Sequence, residues 1–131
     1  MSNSLGTALI TGASTGIGAI FADRFARRGH DLILVARNKE RLASLARRLS
    51  HDTGRKVETV EADLTVPADL KRVEEILRMN AGISLLVNNA GVASVRPLLA
   101  ADIDQMDEMI RLNVTALTRL TYAATPGFRC W

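Results

Sequence analysis

The chain has 131 residues, a formal net charge of +3, a hydrophobic content of 47% and a single cysteine. This length fits one domain, and the hydrophobic content is sufficient for a packed core. The longest unbroken aliphatic run, residues 32–36, is far shorter than the roughly 20 apolar residues of a membrane-spanning helix. The N-terminus lacks the pattern of a secretory signal, and one cysteine with two histidines excludes a Cys/His metal cluster. We therefore expect a single-domain, metal-free, cytoplasmic protein.

Basic residues are concentrated in one segment of the chain. Residues 23–56 hold ten basic and four acidic side chains, a local net charge of +6, whereas residues 57–131 have a net charge of −3. Aromatic side chains, which would stack on the bases of a single strand, are absent between Phe25 and Tyr122. We interpret the basic block as solvated helix faces with one or two residues for a ligand phosphate. We expect neither a nucleic-acid nor a membrane partner.

In the first half of the chain, short apolar runs alternate with amphipathic stretches. Residues 8–10 read as a buried strand and residues 12–18 as a glycine-rich turn. The following helix is expected to end at Gly29 and to place its large apolar residues on one stripe: Ile17, Ile20, Phe21 and Phe25. Residues 31–36 form a second strand that is apolar on both faces, as in parallel sheets.

The second half of the chain repeats this alternation. Residues 39–49 are predicted to form a helix, residues 57–62 a third strand and residues 83–87 a fourth strand. Pro67 suits the first turn of a helix that runs to about Met79, and a last helix covers roughly residues 103–124. The residues expected to face the core are Leu42, Leu45, Ala46 and Leu49 in one helix, and Leu70, Val73, Ile76 and Leu77 in the next.

The resulting order is β-α-β-α-β-α-β-α. Strands separated by helices pair in parallel through right-handed crossovers, so the pattern predicts a three-layer α/β fold. In such folds ligands bind where the strands end, beside the first strand.

The turn after the first strand has the sequence TGASTGIG, residues 11–18. Small residues let the backbone turn sharply and let a pyrophosphate approach the helix N-terminus, whose N–H groups and dipole bind anions. Ser14 and Thr15 offer hydroxyl groups as well. A phosphate loop of the triphosphatase type needs a Gly-Lys-Ser/Thr ending, yet no lysine precedes Lys39. A glycine-rich turn without any ligand is the alternative.

Four motifs occur along the chain in a characteristic order. The glycine turn has the spacing TGxxxGxG through Gly12, Gly16 and Gly18; residues 63–65 read DLT, residues 88–91 read NNAG, and Asn113 lies within LNV. Between about Thr7 and Tyr122 the chain resembles the classical branch of the short-chain dehydrogenase/reductase family. The resemblance implies a Rossmann-type parallel sheet of order 3-2-1-4.

By this resemblance the chain binds a nicotinamide dinucleotide. The residues that match the family's cofactor-binding positions are Gly12, Ser14, Thr15, Gly16, Ile17, Gly18, Arg37, Asn38, Asp63, Leu64, Asn89, Ala90 and Gly91. Several of them have a structural alternative: Asp63 could cap a helix, and Asn88 and Asn89 could brace neighbouring strands. Bracing a sheet and lining a cofactor are compatible.

The end of the second strand indicates which dinucleotide is used. An acidic residue there hydrogen-bonds the ribose 2′-hydroxyl of NAD and repels a 2′-phosphate. This chain has Ala36 at that place, followed by Arg37, whose guanidinium suits a phosphate. We therefore predict a preference for NADP(H) over NAD(H); an ordinary surface arginine is the alternative.

Asn113 interrupts an apolar stripe in the last helix. Met106, Ile110, Leu117 and Leu120 share its face at helical spacing, and a buried unpaired amide costs roughly 1–3 kcal/mol, so a partner is required. The residue could make a helix-packing hydrogen bond. By resemblance it matches the asparagine of the family's Asn-Ser-Tyr-Lys tetrad.

The other members of that tetrad have no match. The family's chemistry is hydride transfer between nicotinamide and a carbonyl or secondary-alcohol carbon, with tyrosine as acid/base and a lysine four residues later. Here Tyr122 is followed four residues on by Pro126, no lysine follows Lys71 and no serine follows Ser94. We expect residues 1–125 to be a partial NADP-binding Rossmann domain that stops before a fifth strand, and residues 126–131 to be an atypical tail.

Three functions remain open at this stage. The first is an NADP-dependent short-chain oxidoreductase that acts on a small carbonyl or alcohol substrate. This chain would be its cofactor-binding portion and would be inactive by itself. The second is a non-catalytic dinucleotide-binding module. The third is an inactive truncated product that acts only in assembly. A fourth strand without a neighbour would favour a homo-oligomer.

Overall fold

The computed structural model describes residues 4–91 and 97–128. Four strands and five α-helices alternate, with a π-helical segment between the last two helices and short 3₁₀ turns at Leu98–Ala100 and Thr125–Phe128. The strands are β1 (Thr7–Thr11), β2 (Asp31–Ala36), β3 (Val57–Glu61) and β4 (Ile83–Val87). The helices are α1 (Gly16–Arg27), α2 (Lys39–Thr53), α3 (Pro67–Met79), α4 (Ile103–Ile110) and α5 (Leu117–Ala124), and the π-helical segment is Arg111–Ala116.

The four strands form one parallel sheet in the order β3-β2-β1-β4. Ile10 of β1 lies opposite Leu34 of β2 and Val87 of β4, so the central strands end at the same level. This is the predicted strand order, and all four carboxyl ends lie along one edge of the sheet. Within residues 4–91 and 97–128, β4 pairs with β1 only.

Each face of the sheet has its own hydrophobic core. Leu9, Ile33 and Val35 face one core, to which α3 and α5 contribute. Ile10 and Leu34 face the other core, to which α1 and α2 contribute. Because successive side chains of a strand point to opposite faces, continuous apolar runs such as residues 32–36 serve both cores. The three-layer fold is therefore confirmed.

Most of the predicted apolar stripe of α1 lies away from the sheet, and of its four residues Phe25 packs against the core. Ile17, Ile20 and Phe21 are 64%, 57% and 39% exposed, whereas the buried residues of α1 are Gly18, Ala22 and Ala26. The helix packs against the first turn so closely that a Cβ on Gly18 would overlap the carbonyl oxygen of Gly12. Small residues therefore face the sheet, and Ile17, Ile20 and Phe21 lie outside.

The predicted end of α1 is confirmed. Gly29 has φ 106°, and two hydrogen bonds close the helix, from the Gly29 N–H to the Ala26 carbonyl and from the His30 N–H to the Phe25 carbonyl. This pair of bonds is a Schellman motif, which uses glycine because L-residues avoid the left-handed region.

The predicted inner faces of α2 and α3 are confirmed. Leu42, Leu45, Ala46 and Leu49 are buried in α2; Leu70, Val73 and Leu77 are buried in α3, and Ile76 packs against the same core. Helix α2 continues beyond the predicted end and stops at Gly54, which has φ 72°.

The last helix departs from the prediction. Ile110 and Leu117 are 52% and 43% exposed, so they do not belong to a buried stripe, although Leu120 is fully buried. Helix α4 buries none of its residues, and the π-helical segment Arg111–Ala116 after it has wider turns, so one extrapolation at 3.6 residues per turn does not hold across the whole region. Helix α5 instead buries Leu120, Ala123 and Ala124, and the preceding Ala116 is also buried.

An ion pair connects α5 to α3. The Arg119 guanidinium donates from Nε to Glu74 Oε2 at 2.8 Å and from Nη2 to Glu74 Oε1 at 3.1 Å, and Glu74 is buried. A buried carboxylate without such a partner is strongly destabilising, so this pair constrains how the two helices pack. Among the helices of the described residues, none is long and apolar enough to cross a membrane.

Candidate functional site

A cleft of about 1230 Å³ opens where the four strands end. Its first side, which we call the strand-end wall, consists of cleft-lining residues that end or follow the four strands. They are Gly12, Ser14, Thr15, Ile17, Val35, Ala36, Arg37, Asn38, Arg41, Ala62, Asp63, Leu64, Thr65, Asn89, Ala90 and Gly91. The opposite side, the helical wall, consists of Ala101, Asp102, Gln105, Met106, Glu108, Met109 and Leu112.

The glycine turn lies at the centre of the strand-end wall. Gly12 and Gly16 have φ values of 64° and 59°, which favour glycine. A Cβ on Gly12 would lie 2.9 Å from Ala90 Cα, and one on Gly18 would lie 2.6 Å from Asn89 Nδ2. The three glycines thus allow a sharp turn and a close approach of α1 to the strands. The start of α1 reaches the cleft through Thr15 and Ile17, and the N–H groups of a first helical turn lack helical partners.

Thr11 joins the ends of β1 and β4. Its hydroxyl, in a side chain that is 1% exposed, accepts hydrogen bonds from the N–H groups of Asn89 at 3.1 Å and Ala90 at 3.0 Å. The same hydroxyl donates to the Val87 carbonyl at 3.4 Å. Thr11 was not among the predicted site residues. A hydroxyl group at the end of an apolar strand is nevertheless a signal, because a buried hydroxyl needs a hydrogen-bond partner.

The two asparagines after β4 have different partners. Asn89 Nδ2 donates to the Gly12 carbonyl at 3.1 Å, so this side chain braces the glycine turn while its residue lines the cleft. Asn88 Nδ2 instead donates to Thr121 Oγ1 at 3.0 Å and thereby connects β4 to α5. Bracing across neighbouring strands is therefore confirmed for Asn89, while Asn88 braces a helix.

Two arginines line the cleft at the end of β2. Ala36 is buried, and Arg37 and Asn38 follow it in exposed positions. Asn38 Oδ1 accepts a hydrogen bond from the Arg41 N–H at 3.0 Å and so caps the N-terminus of α2. Arg41, one turn into that helix, was not predicted as a site residue. Among residues 4–91 and 97–128, neither guanidinium forms an ion pair.

Asp63 shapes the loop after β3. Its Oδ1 accepts hydrogen bonds from the N–H of Thr65 at 3.0 Å and the hydroxyl of Thr65 at 2.6 Å. This is a local turn rather than a helix cap, since α3 begins without a side-chain cap. The Asp63 N–H donates to Asp69 Oδ2 at 2.9 Å, and this bond, together with the Arg72 guanidinium, lowers the pKa of Asp69.

Asn113 lies in the π-helical segment and is partly buried. It does not line the cleft, and neither do Gly16 and Gly18; the other predicted site residues do. Its side chain faces the end of β4, because a Cβ on Gly91 would lie 2.9 Å from Asn113 Oδ1.

The cleft thus has two places that suit negative charge. One is the N-terminus of α1 behind the glycine turn, and the other is the pair of arginines at the start of α2. In the part of the chain that the structure describes, no three His, Cys, Asp or Glu residues are grouped to hold a metal ion.

Comparison with known proteins identifies the family. The family model described as short chain dehydrogenase matches residues 6–129. The chain belongs to the short-chain dehydrogenase family. This result confirms the resemblance seen in the glycine turn and the three later motifs.

Solved structures of the family are closely similar in fold. A short-chain dehydrogenase from Sphingobium yanoikuyae in complex with NADPH is 55% identical, with a TM-score of 0.92 over 95% of this chain and 49% of that chain. The bulky-bulky ketone specific alcohol dehydrogenase from Comamonas testosteroni is 46% identical, with a TM-score of 0.93 over 96% of this chain and 50% of that chain.

Curated relatives are longer than this chain as well. A very-long-chain 3-oxoacyl-CoA reductase from Pyrenophora tritici-repentis is 36% identical in an alignment 126 residues long that covers 92% of this chain and 37% of the relative. The chain therefore spans little more than a third of that relative and about half of the two solved structures.

Proposed function

We propose that this chain binds NADP(H) across the cleft and forms the cofactor-binding part of an oxidoreductase. The reaction is hydride transfer between the nicotinamide ring and the carbon of a carbonyl or secondary alcohol. One observation carries the proposal: the same cleft is lined by the glycine turn at the N-terminus of α1 and by Arg37 and Arg41. Among the described residues, neither arginine has an acidic partner.

The glycine turn is proposed to hold the pyrophosphate. The close packing of Gly12 and Gly18 leaves no side chain between the backbone and a ligand, and the first turn of α1 presents N–H groups and the positive end of its dipole. Ser14, Thr15 and Ile17 line the same part of the cleft.

The start of α2 is proposed to hold the 2′-phosphate that distinguishes NADP(H) from NAD(H). Arg37 and Arg41 supply guanidinium groups, and Ala36 supplies no carboxylate that would repel the phosphate. Asn38 keeps Arg41 in place through the helix cap.

The remaining predicted residues are assigned to the rings of the cofactor. Asp63 and Leu64 would flank the adenine, with Met106 and Met109 of the helical wall opposite them. Asn89, Ala90 and Gly91 would face the part of the cofactor that carries the nicotinamide, which supplies or accepts the hydride. Asn113 is the one residue here that we assign to the family's catalytic set.

The assembly of the whole protein is a further part of the proposal. Ile103, Ile110 and Leu117, in the two helices on either side of the π-helical segment, are all exposed. Exposed large apolar side chains favour contact with another surface, and a homo-oligomer would provide it. The substrate class is proposed only as far as a carbonyl or secondary alcohol.

The test is a titration of the 131-residue chain with NADPH and with NADH, followed by intrinsic or nucleotide fluorescence. We expect NADPH to bind at least about 10-fold more tightly, because hydrogen bonds to charged groups contribute about 1.5–3 kcal/mol. Arg37→Ala should weaken NADPH binding by about 10- to 100-fold and change NADH binding by less than about 2-fold.

Arg47→Ala is the matched control, since Arg47 is an exposed arginine of α2 that does not line the cleft. It should leave both dissociation constants unchanged. Equal binding of the two dinucleotides by the wild-type chain, or an equal loss for Arg37→Ala and Arg47→Ala, would contradict the assignment of the 2′-phosphate.

A further inference from the structure

Gly91 follows β4 in a position where its backbone does not require glycine. Its φ lies outside the left-handed region, in contrast to Gly12 and Gly16. A side chain at Gly91 would therefore create no backbone strain, and the reason for glycine must be sought in the space around it.

That space is occupied by one neighbouring side chain. Among the described residues, chain neighbours aside, the only heavy atoms within 4 Å of a Cβ on Gly91 belong to Asn113: Oδ1 at 2.9 Å and Cγ at 3.7 Å. Ordinary van der Waals contacts begin at about 3.5 Å, so even a methyl group would displace the amide.

The helix presents this amide through an irregular segment. Asn113 lies in the π-helical segment Arg111–Ala116, and π-helical turns re-aim side chains at functional sites. Two features far apart in sequence, a residue without a side chain at the end of β4 and a widened turn between α4 and α5, therefore meet at one amide group.

We propose that Gly91 is a positioning residue for Asn113. Because Gly91 has no side chain, the Asn113 amide can pack directly against its backbone in the segment after β4. A Cβ on Gly91 would push the amide away from this position. The functional meaning of this position rests on the proposed oxidoreductase function, whereas the contact itself does not.

The experiment is a double-mutant cycle on the 131-residue chain with Gly91→Ala, Asn113→Ala and the double variant. Gly91→Ala should lower the melting temperature by roughly 3–6 °C, typical of overpacking by about 1 kcal/mol in a chain of this size. In the Asn113→Ala background, Gly91→Ala should lower the melting temperature by less than about a third of its effect in the wild-type background, because the clashing amide is gone.

Gly82→Ala is the matched control, because Gly82 precedes the other end of β4 and its Cβ would lie 3.2 Å from Asn80 Oδ1. In ¹⁵N NMR spectra, Gly91→Ala should shift the side-chain amide resonances of Asn113, which are assigned by their loss in Asn113→Ala. Gly82→Ala should shift those of Asn80 and leave those of Asn113 in place.

The outcomes separate cleanly. An equal loss of melting temperature in both backgrounds, or an unshifted Asn113 amide in Gly91→Ala, would overturn the proposal. If Gly91→Ala does not fold, folding of the double variant supports the proposal and its failure overturns it. A wild-type chain that binds no NADPH would contradict the proposed function but would leave this cycle valid.

Discussion

The two walls of the cleft are built in different ways. The strand-end wall is held by hydrogen bonds between distant segments, above all those of Thr11 and Asn89, and its centre rests on the largely buried strands β1 and β2. The helical wall belongs largely to α4, which has no buried residue at all. One wall is therefore fixed by the sheet before any ligand arrives, whereas the position of the other depends on the helix that continues into α5.

This contrast separates two kinds of specificity. The groups proposed to recognise phosphate are on the strand-end wall, where small displacements would weaken hydrogen bonds. The helical wall offers Met106, Met109 and Leu112, whose apolar contacts tolerate small shifts. We expect substitutions in the strand-end wall to reduce the free energy of unfolding much more than substitutions in the helical wall.

The largest effect is expected for Gly18→Ala. The new Cβ would overlap the Gly12 carbonyl oxygen, so backbone rather than a flexible side chain must move. We expect a loss of about 3 kcal/mol or more in the free energy of unfolding, at the upper end of overpacking effects. Urea denaturation measures this loss, and Gly127→Ala is the control, because no described atom lies within 4 Å of its Cβ.

Thr11→Val should have the next largest effect. Valine keeps the shape but leaves the N–H groups of Asn89 and Ala90 without their acceptor, which should lower the free energy of unfolding by about 2–3 kcal/mol. Thr11→Ser keeps the hydroxyl and should recover more than half of the loss. A serine variant as unstable as the valine variant would show that packing, rather than the hydroxyl, holds β1 to β4.

Met106→Ala, in the helical wall, should have the smallest effect. The side chain is only partly buried and lines the cleft, so we expect a loss below about 1 kcal/mol in the free energy of unfolding and below about 3-fold in NADPH affinity. Met79→Ala, at an exposed methionine outside the cleft, is the control for the methionine-to-alanine change itself. An effect of Met106→Ala as large as that of Thr11→Val would remove the distinction between the two walls.

The strand-end wall could be predicted from the sequence, because each of its segments has a short sequence motif of its own. An apolar run followed by a glycine turn predicts a strand, a turn and a helix N-terminus, and parallel pairing then brings residues 12, 37, 63 and 89 to one edge of the sheet. Thr11 is the first residue of the glycine motif, and Arg41 lies in the first turn of α2. They were missed because their contacts depend on how strand ends and helix starts meet in space.

The outer surfaces could not be predicted in the same way. The stripe of Ile17, Ile20 and Phe21 has a helical period, but periodicity shows only that residues share a face and not which face the sheet covers. In α1 the close contact at Gly18 selects the side with small residues. In the last helix, α4 buries none of its residues and the π-helical segment has wider turns, so the expected stripe of Ile110 and Leu117 does not hold.

In the proposed binding mode, the cap of α2 links coenzyme choice to helix stability. Asn38 adjoins the arginine assigned to the 2′-phosphate, and its side chain starts the helix that carries Arg41. Replacement of Asn38 by a residue that cannot cap, such as alanine, would therefore weaken α2 by about 1 kcal/mol. Aspartate, in contrast, caps helices as well as asparagine does and adds the negative charge that disfavours a phosphate. With the 2′-phosphate at its proposed place, Asn38→Asp should thus move the coenzyme preference toward NAD(H) without loss of the helix cap.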